Sequence, residues 1–173
     1  MNRTIRIKAL AFLTSLVAAV SFSLIAQAAE KHEQTFVKTN FRTAYKTALP
    51  VGDVPNHEVS QEANIADIKV SNPDFKIKEE WAFTQADTID GTGTHRGHFF
   101  DNHEDGSTTY GAFEGKVKTT VKGDGSWESA WEGTYHYVGG SGKFKNIKGN
   151  GTYKGKAASK EPAREEGKET VEY

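Results

Sequence analysis

Residues 108–138 read TTYGAFEGKVKTTVKGDGSWESAWEGTYHYV and contain two apolar alternations around a glycine-rich turn. Before the turn at Gly123-Asp124-Gly125, the side chains of Phe113, Val117 and Val121 share one parity. After the turn, one parity carries the aromatic residues Trp127, Trp131, Tyr135 and Tyr137. A period of two with one apolar face is typical of a half-buried β-strand. This stretch therefore predicts two consecutive strands, each with one apolar face.

The same pattern continues on both sides of this stretch. Upstream, an alternation with polar residues predicts a strand whose apolar face carries Phe75, Ile77, Trp81 and Phe83. Asp105-Gly106 predicts a tight hairpin turn with Gly106 at positive φ. Glycines recur inside the predicted strands, and glycine permits sharp bending and close backbone approach. Short, regularly spaced strands with these glycines favour an all-β chain that forms a small closed antiparallel barrel over a flat sandwich, since closure also removes exposed edges.

Two segments have a less regular pattern. Residues 30–50 favour an irregular strand only slightly over a short helix, and residues 157–168 are charge-rich and predict a loop. Residues 143–156 hold five lysines and no acid, and glutamates follow them. Pairing of a basic strand with an acidic final strand is favoured here over an anion-binding patch.

The first residues predict export. Arg3, Arg6 and Lys8 precede an uncharged apolar run over residues 9–26, and Ala26-Gln27-Ala28 is a small-x-small site. This combination is typical of a secretory signal peptide, and the cleavage site favours that interpretation over a membrane anchor. We therefore expect a signal peptide at residues 1–28, cleavage after Ala28, and one β-barrel domain at residues 29–173. The expected location is the periplasm or the extracellular medium.

The composition of the mature chain indicates which classes of binding partner to expect. Without the three basic residues of the signal, it has 19 Lys and Arg against 23 Asp and Glu. A mildly acidic exported protein is a poor candidate for nucleic-acid binding, and no membrane association is expected after cleavage. The chain has no cysteine, which excludes disulfides and thiolate sites, so burial and hydrogen bonding must stabilise the fold.

Residues 139–155, GGSGKFKNIKGNGTYKG, form a glycine-rich signature. Together with residues 50–57 and with the glycines between Asp87 and Gly106, this stretch resembles the barrel superfamily of allene oxide cyclases and dirigent proteins. The resemblance implies an antiparallel barrel of about eight strands with an apolar cavity, and it implies an oligomer in many members. Plant members are cyclases or direct stereochemistry. Ser141 and Asn146 depart from the usual Thr and Gly, and no plant catalytic motif transfers onto this chain.

Two residues are candidates for acid–base chemistry if the protein is an enzyme. Glu79 has the parity of Trp81 and Phe83, so an inward face would place a carboxylate in an apolar lining, where burial raises its pKa. Alternatively, Glu79 pairs with an inward basic residue or lies at the barrel mouth. His57, close to Asp53 in sequence, is the second candidate, and it could equally cap the loop.

Aromatic and apolar residues are the candidates for binding a small molecule. An eight-stranded barrel either fills its interior with side chains or holds one small ligand, and Trp and Tyr bring polar tips that orient such a ligand. Core packing of the same side chains remains the alternative. The candidate ligand-binding residues are Trp81, Phe83, Phe113, Trp127, Trp131 and Tyr135.

Histidines and acids between residues 95 and 105 prompt the question of a metal site. His95 and His98 are three apart, so a regular strand places them on opposite faces, and His103 lies beside the hairpin tip. We therefore predict neither a metal site nor a cofactor.

Three functions remain open at this level. The favoured one is a non-catalytic exported barrel that binds a small apolar molecule in its interior. The second is an isomerase or cyclase of the allene oxide cyclase or dirigent type, which uses Glu79 or His57 to move protons. The third is a structural or assembly protein with a filled barrel. Whether the barrel interior is open or filled with side chains discriminates between ligand-based functions and a structural one.

Overall fold

The computed structural model describes residues 30–173, so the predicted signal peptide and its cleavage site lie outside the described residues. The described chain consists of eight strands and a single 3-10 turn at Gly142–Phe144. No helix within this part of the chain is long and apolar enough to span a bilayer. The strands are β1 (Lys31–Pro50), β2 (His57–Val70), β3 (Ile77–Ile89), β4 (Thr92–His103), β5 (Thr108–Val121), β6 (Trp127–Gly140), β7 (Lys148–Ala158) and β8 (Glu161–Glu172).

The strands form one closed antiparallel barrel. Each strand pairs with the next along the chain, and β1 pairs with β8 over the register from Lys31↔Glu172 to Lys38↔Glu165. The predicted all-β class and the closed barrel of eight antiparallel strands are therefore confirmed. The predicted hairpin at Asp105-Gly106 is also confirmed, since Gly106 has a φ of 83°.

The predicted loop at residues 157–168 is wrong. β7 extends to Ala158, β8 begins at Glu161, and only two residues connect them. The polar residues of this segment are compatible with a strand because half of them point outward to water. Basic and acidic residues pair across the two strands as predicted: Lys154 is the register partner of Glu166, at 3.2 Å between Nζ and Oε1.

Glycines on β7 make room for aromatic side chains of β6. A Cβ atom on Gly155 would overlap the indole ring of Trp131, and a Cβ atom on Gly151 would overlap the phenol ring of Tyr135. The two rings therefore lie directly across the backbone of the neighbouring strand, where any other residue type would displace them. This close approach explains why the aromatic parity of β6 faces a glycine parity of β7.

A hydrophobic cluster fills one end of the barrel. Phe75 from the β2–β3 connection and Phe144 from the 3-10 turn are fully buried, with ring centroids 4.8 Å apart. The ring of Tyr173 lies 4.8 Å from that of Phe144, and Val171 is also fully buried. The opposite end carries the four connections at residues 51–56, 90–91, 122–126 and 159–160.

Candidate functional site

The barrel encloses a cavity of about 530 Å³. Its mouth lies among the four connections, because Lys46 at the end of β1 and Trp127 at the start of β6, which is 40% exposed, both line it. Its floor lies against the filled end, where Ile77 and Tyr137 line it. The volume is within the usual range for sites that bind small molecules.

Nine aromatic residues contribute to the wall of the cavity. Phe113, Trp127, Trp131 and Tyr135, four of the predicted ligand-binding residues, all line it. Trp81 and Phe83 do not belong to this lining. The additional aromatic residues of the wall are Phe36, Phe41, Phe99, Tyr137 and Tyr153.

A β-bulge near the start of β3 reverses the predicted parity of that strand. The register moves from Ile77↔His103 to Glu79↔Asn102, so two residues of β3 oppose one step of β4. Ile77 and Glu80 therefore both face inward and are buried, whereas Phe83 is 51% exposed. An uninterrupted alternation would have placed Glu79 and Phe83 inside, and the bulge is the physical reason why it does not.

Glu79, Trp81 and Phe83 lie on the outer face, which corrects their expected place in the cavity. Glu79 accepts hydrogen bonds from Trp81 Nε1 at 3.2 Å and from Asn102 Nδ2 at 3.5 Å. The rings of Trp81 and Phe83 stack at a centroid distance of 6.3 Å. Glu79 is therefore held by outer neighbours and has no access to a molecule inside the barrel.

His57 also lies outside the cavity, at the edge of the 51–56 connection. Its Nδ1 lies 2.5 Å from Asp53 Oδ1, and its Nε2 lies 2.8 Å from Asp87 Oδ1. The hydrogen bonds to Asp53 and Asp87 raise the pKa of His57. The residue joins the connection to β3, which matches the alternative role of capping the loop.

Lys38 brings together charges from three strands at the floor of the cavity. Its Nζ lies 2.7 Å from Glu80 Oε1 and 2.9 Å from Glu165 Oε1. Burial alone lowers the pKa of Lys38, but the charges of Glu165 and Glu80 outweigh that effect and raise it. Lys38 is therefore a permanent cation whose two partners arrive from β3 and β8.

Glu169 is another carboxyl group at the floor of the cavity. It accepts hydrogen bonds from Gln34 Nε2 at 2.6 Å, from Tyr135 Oη at 2.6 Å and from Tyr137 Oη at 2.8 Å. Burial, together with the charge of Glu169, raises the pKa of both tyrosines, so each remains a hydroxyl donor. Three donors orient this carboxylate, yet no cation bonds to it among the described residues.

Asp101 and Glu80 form a pair of carboxyl groups on adjacent strands. They are direct register partners on β4 and β3, and both side chains face inward and are buried. Asp101 Oδ2 accepts a hydrogen bond from Thr109 Oγ1 at 2.8 Å, whereas Asp101 Oδ1 has no partner among residues 30–173. Burial and the charge of Glu80 raise the pKa of Asp101 well above its ordinary value of 3.8. Burial also raises the pKa of Glu80, against the opposing effect of Lys38.

The histidines occupy separate environments. His95 faces the cavity, where its Nε2 lies 2.6 Å from Tyr153 Oη, and burial lowers its pKa. His98 is the register partner of the outward Phe83, so the predicted separation of His95 and His98 onto opposite faces is confirmed. Within residues 30–173, no group of three His, Asp or Glu side chains is arranged to hold a metal ion.

The sequence interpretation missed the polar floor of the cavity. Glu80 is hidden by the bulge, Glu165 lies in the segment that the sequence predicts as a loop, and Glu169 lies just after that segment. The signal was present in β8, because Glu165, Gly167, Glu169 and Val171 have one parity that ends on an apolar residue. Asp101 has the parity of Phe99, which also faces inward.

When the chain is compared with known protein families and with curated proteins, no family model and no curated protein matches it.

Proposed function

We propose that this protein is an exported barrel that binds a small, largely apolar molecule in its interior without changing it chemically. The observation that carries the proposal is the cavity of about 530 Å³, whose wall includes nine aromatic residues and whose rim residue Trp127 is exposed to solvent. A filled barrel would offer no such volume, so the structural alternative has less support. The resemblance to allene oxide cyclases and dirigent proteins agrees with an apolar interior.

The polar floor also supports binding over catalysis. Lys38, Glu80 and Glu165 hold one another in ion pairs, and three donors hold Glu169. Groups fixed in this way can orient a ligand, but their existing bonds leave them little capacity to exchange protons with it. The observation that favours an isomerase is the Asp101–Glu80 pair, since burial raises the pKa of both carboxyl groups and a raised pKa suits a group that transfers protons. An enzyme would therefore use this pair in place of Glu79 and His57.

Tryptophan fluorescence tests the proposed binding. In a Trp81→Phe background the remaining tryptophans, Trp127 and Trp131, both line the cavity. Titration with the neutral dye N-phenyl-1-naphthylamine should quench them in a saturable way. Replacement of Ala163, which lines the cavity, with Phe should lower the affinity for the dye by about tenfold or more, because the larger side chain reduces the volume of the cavity.

The control for this experiment is Val138→Phe. Val138 is 61% exposed on β6, so the same Phe side chain introduced there leaves the cavity unchanged. Linear quenching without saturation would contradict the proposal, as would equal dye affinity in the Ala163→Phe and Val138→Phe variants.

A further inference from the structure

The floor of the cavity has more negative than positive groups. Four buried carboxyl groups, those of Glu80, Asp101, Glu165 and Glu169, surround the single ammonium group of Lys38. Lys38 is bonded to two of them and to neither Asp101 nor Glu169. Buried charges are costly unless a partner of opposite sign and hydrogen bonds satisfy them. The site therefore disfavours an anionic ligand and has room for one more positive charge.

Beside Glu80, the hydrogen-bonding capacity left over is that of an acceptor. Asp101 Oδ1 is buried and has no donor among the described residues. Asp101 is only 1% exposed and lines the cavity directly opposite Glu80 on the next strand. Like charges directly opposite on adjacent strands are destabilising unless a proton or a cation lies between them. A donor with several N–H groups and a positive charge would meet both requirements.

Aromatic rings line the same cavity as this carboxyl pair. Phe99 is two residues from Asp101 on β4 and also lines the cavity. Its ring lies 5.3 Å from that of Tyr137 and 5.6 Å from that of Tyr135. Aromatic rings attract ammonium groups and pack against hydrocarbon, so they suit both parts of an amphiphilic amine.

We propose that the ligand is a primary amine on an apolar body, with its ammonium group bound by the Asp101–Glu80 carboxyl pair and its hydrocarbon part against the aromatic wall. This inference rests on the proposed function, because it identifies the ligand class of the same cavity. The ammonium group of such an amine would offset the negative charge of the two carboxyl groups. Its N–H groups supply the donors that the floor lacks.

The test compares three probes of equal chain length: octylammonium, 1-octanol and octanoate. Each is titrated into the wild-type protein at pH 7 by calorimetry and by displacement of N-phenyl-1-naphthylamine. Octylammonium should bind at least about tenfold more tightly than octanol, because hydrogen bonds between charged groups are stronger than those between neutral groups. Octanoate should bind most weakly of the three. Equal affinity of octylammonium and octanol, or failure of all three to displace the dye, would overturn the inference.

Adjacent carboxylates provide the matched variants. Asp101→Asn and Glu80→Gln should each reduce octylammonium affinity about tenfold while they leave the affinity for octanol nearly unchanged. Glu79→Gln is the control, because Glu79 lies on the outer face. This variant should bind all three probes with the affinity of the wild type. Asp101→Asn preserves an oxygen that accepts from Thr109, so it tests the inference even if Glu80→Gln fails to fold.

The outcomes separate this inference from the proposed function. Saturable binding of the dye without preference for octylammonium would support the proposed apolar binding site and would contradict the inference that the ligand is an amine. Absence of saturable dye binding would instead remove the binding function itself. Competition by sodium or magnesium chloride beyond that of a salt-matched tetramethylammonium control would show that the carboxyl pair takes a bare inorganic cation, and this would also overturn the inference.

Discussion

Two neighbouring glutamates on β3 show that a shift of one residue position changes the environment of a carboxyl group. Glu79 contacts Trp81 and Asn102 on the outer face, whereas Glu80 lies inside the barrel with Lys38. The two residues have the same chemistry and nearly the same place in the sequence. They differ because the bulge turns Glu80 toward the low-dielectric interior, where the charged form of a carboxyl group is disfavoured.

The raised pKa of Asp101 predicts how stability depends on pH. Its pKa in the folded protein lies above the ordinary value of 3.8, so the folded state retains this proton when the unfolded chain has lost it. This contribution to stability is fully present below pH 3.8 and is lost as pH rises toward the folded-state pKa. Between pH 3.8 and the folded-state pKa, the free energy of unfolding of Asp101→Asn should gain on that of the wild type by at most about 1.4 kcal/mol per pH unit.

Urea denaturation of the wild type and of Asp101→Asn from pH 4 to pH 8 measures this difference. Glu79→Gln serves as the reference for loss of a carboxylate on the outer face of the barrel. A constant difference between the Asp101→Asn variant and the wild type across this range would show that Asp101 ionises normally in the folded protein.

At the scale of the elements, β6 and β7 fit together through glycine. Trp131 and Tyr135 extend over Gly155 and Gly151 of the neighbouring strand, so aromatic and glycine positions are complementary across the pair. The aromatic parity of β6 and the glycines of β7 are both visible in the sequence. Their register, which makes the close contact, depends on how the strands pair in the barrel.

Gly155→Ala should destabilise the protein by about 1–3 kcal/mol. The added methyl group would overlap several atoms of the rigid Trp131 ring, so either the ring or the strand must move. Gly123→Ala is the control, because a Cβ atom there meets nothing within 4 Å. Thermal or urea unfolding gives the comparison, and tryptophan emission reports movement of Trp131. Equal stability of the two variants would contradict the described contact.

At the scale of the whole molecule, closure of the barrel compensates for the absence of cysteine. All eight strands have two paired neighbours, so the described sheet has no free edge. A hydrophobic cluster fills one end, and the interior beyond it remains partly open. This arrangement is compatible with the proposed binding of a small molecule inside the barrel.

The proposed export has a direct test. Cleavage after Ala28 should produce a mature chain that begins at Ala29, because Ala26-Gln27-Ala28 follows an uncharged apolar run. N-terminal sequencing or intact mass measurement of protein from the periplasm or the culture medium would identify this end. Replacement of Ala28 with Leu should block processing, and Ala29→Leu serves as a nearby control. Recovery of the unmodified protein with intact Met1 from the membrane would contradict cleavage.

The all-β class, the closed barrel and the inward parity of Phe113, Trp131 and Tyr135 were all predictable from the sequence. These features depend on local alternation and on glycine, which act between residues close together in the chain. The first half of the strand at residues 161–172 was predicted as a loop, because Glu165 occupies an inward position and local patterns indicate solvent exposure for such a residue.

Only the tertiary structure decided the chemistry of the floor. Lys38, Glu80 and Glu165 come from β1, β3 and β8, and no spacing along the chain relates them. The bulge that turns Glu80 inward depends on the pairing of β3 with β4, and the burial of all four carboxyl groups depends on closure of the barrel. Electrostatic interactions act through space, so the charge balance of the cavity exists only once the strands enclose it.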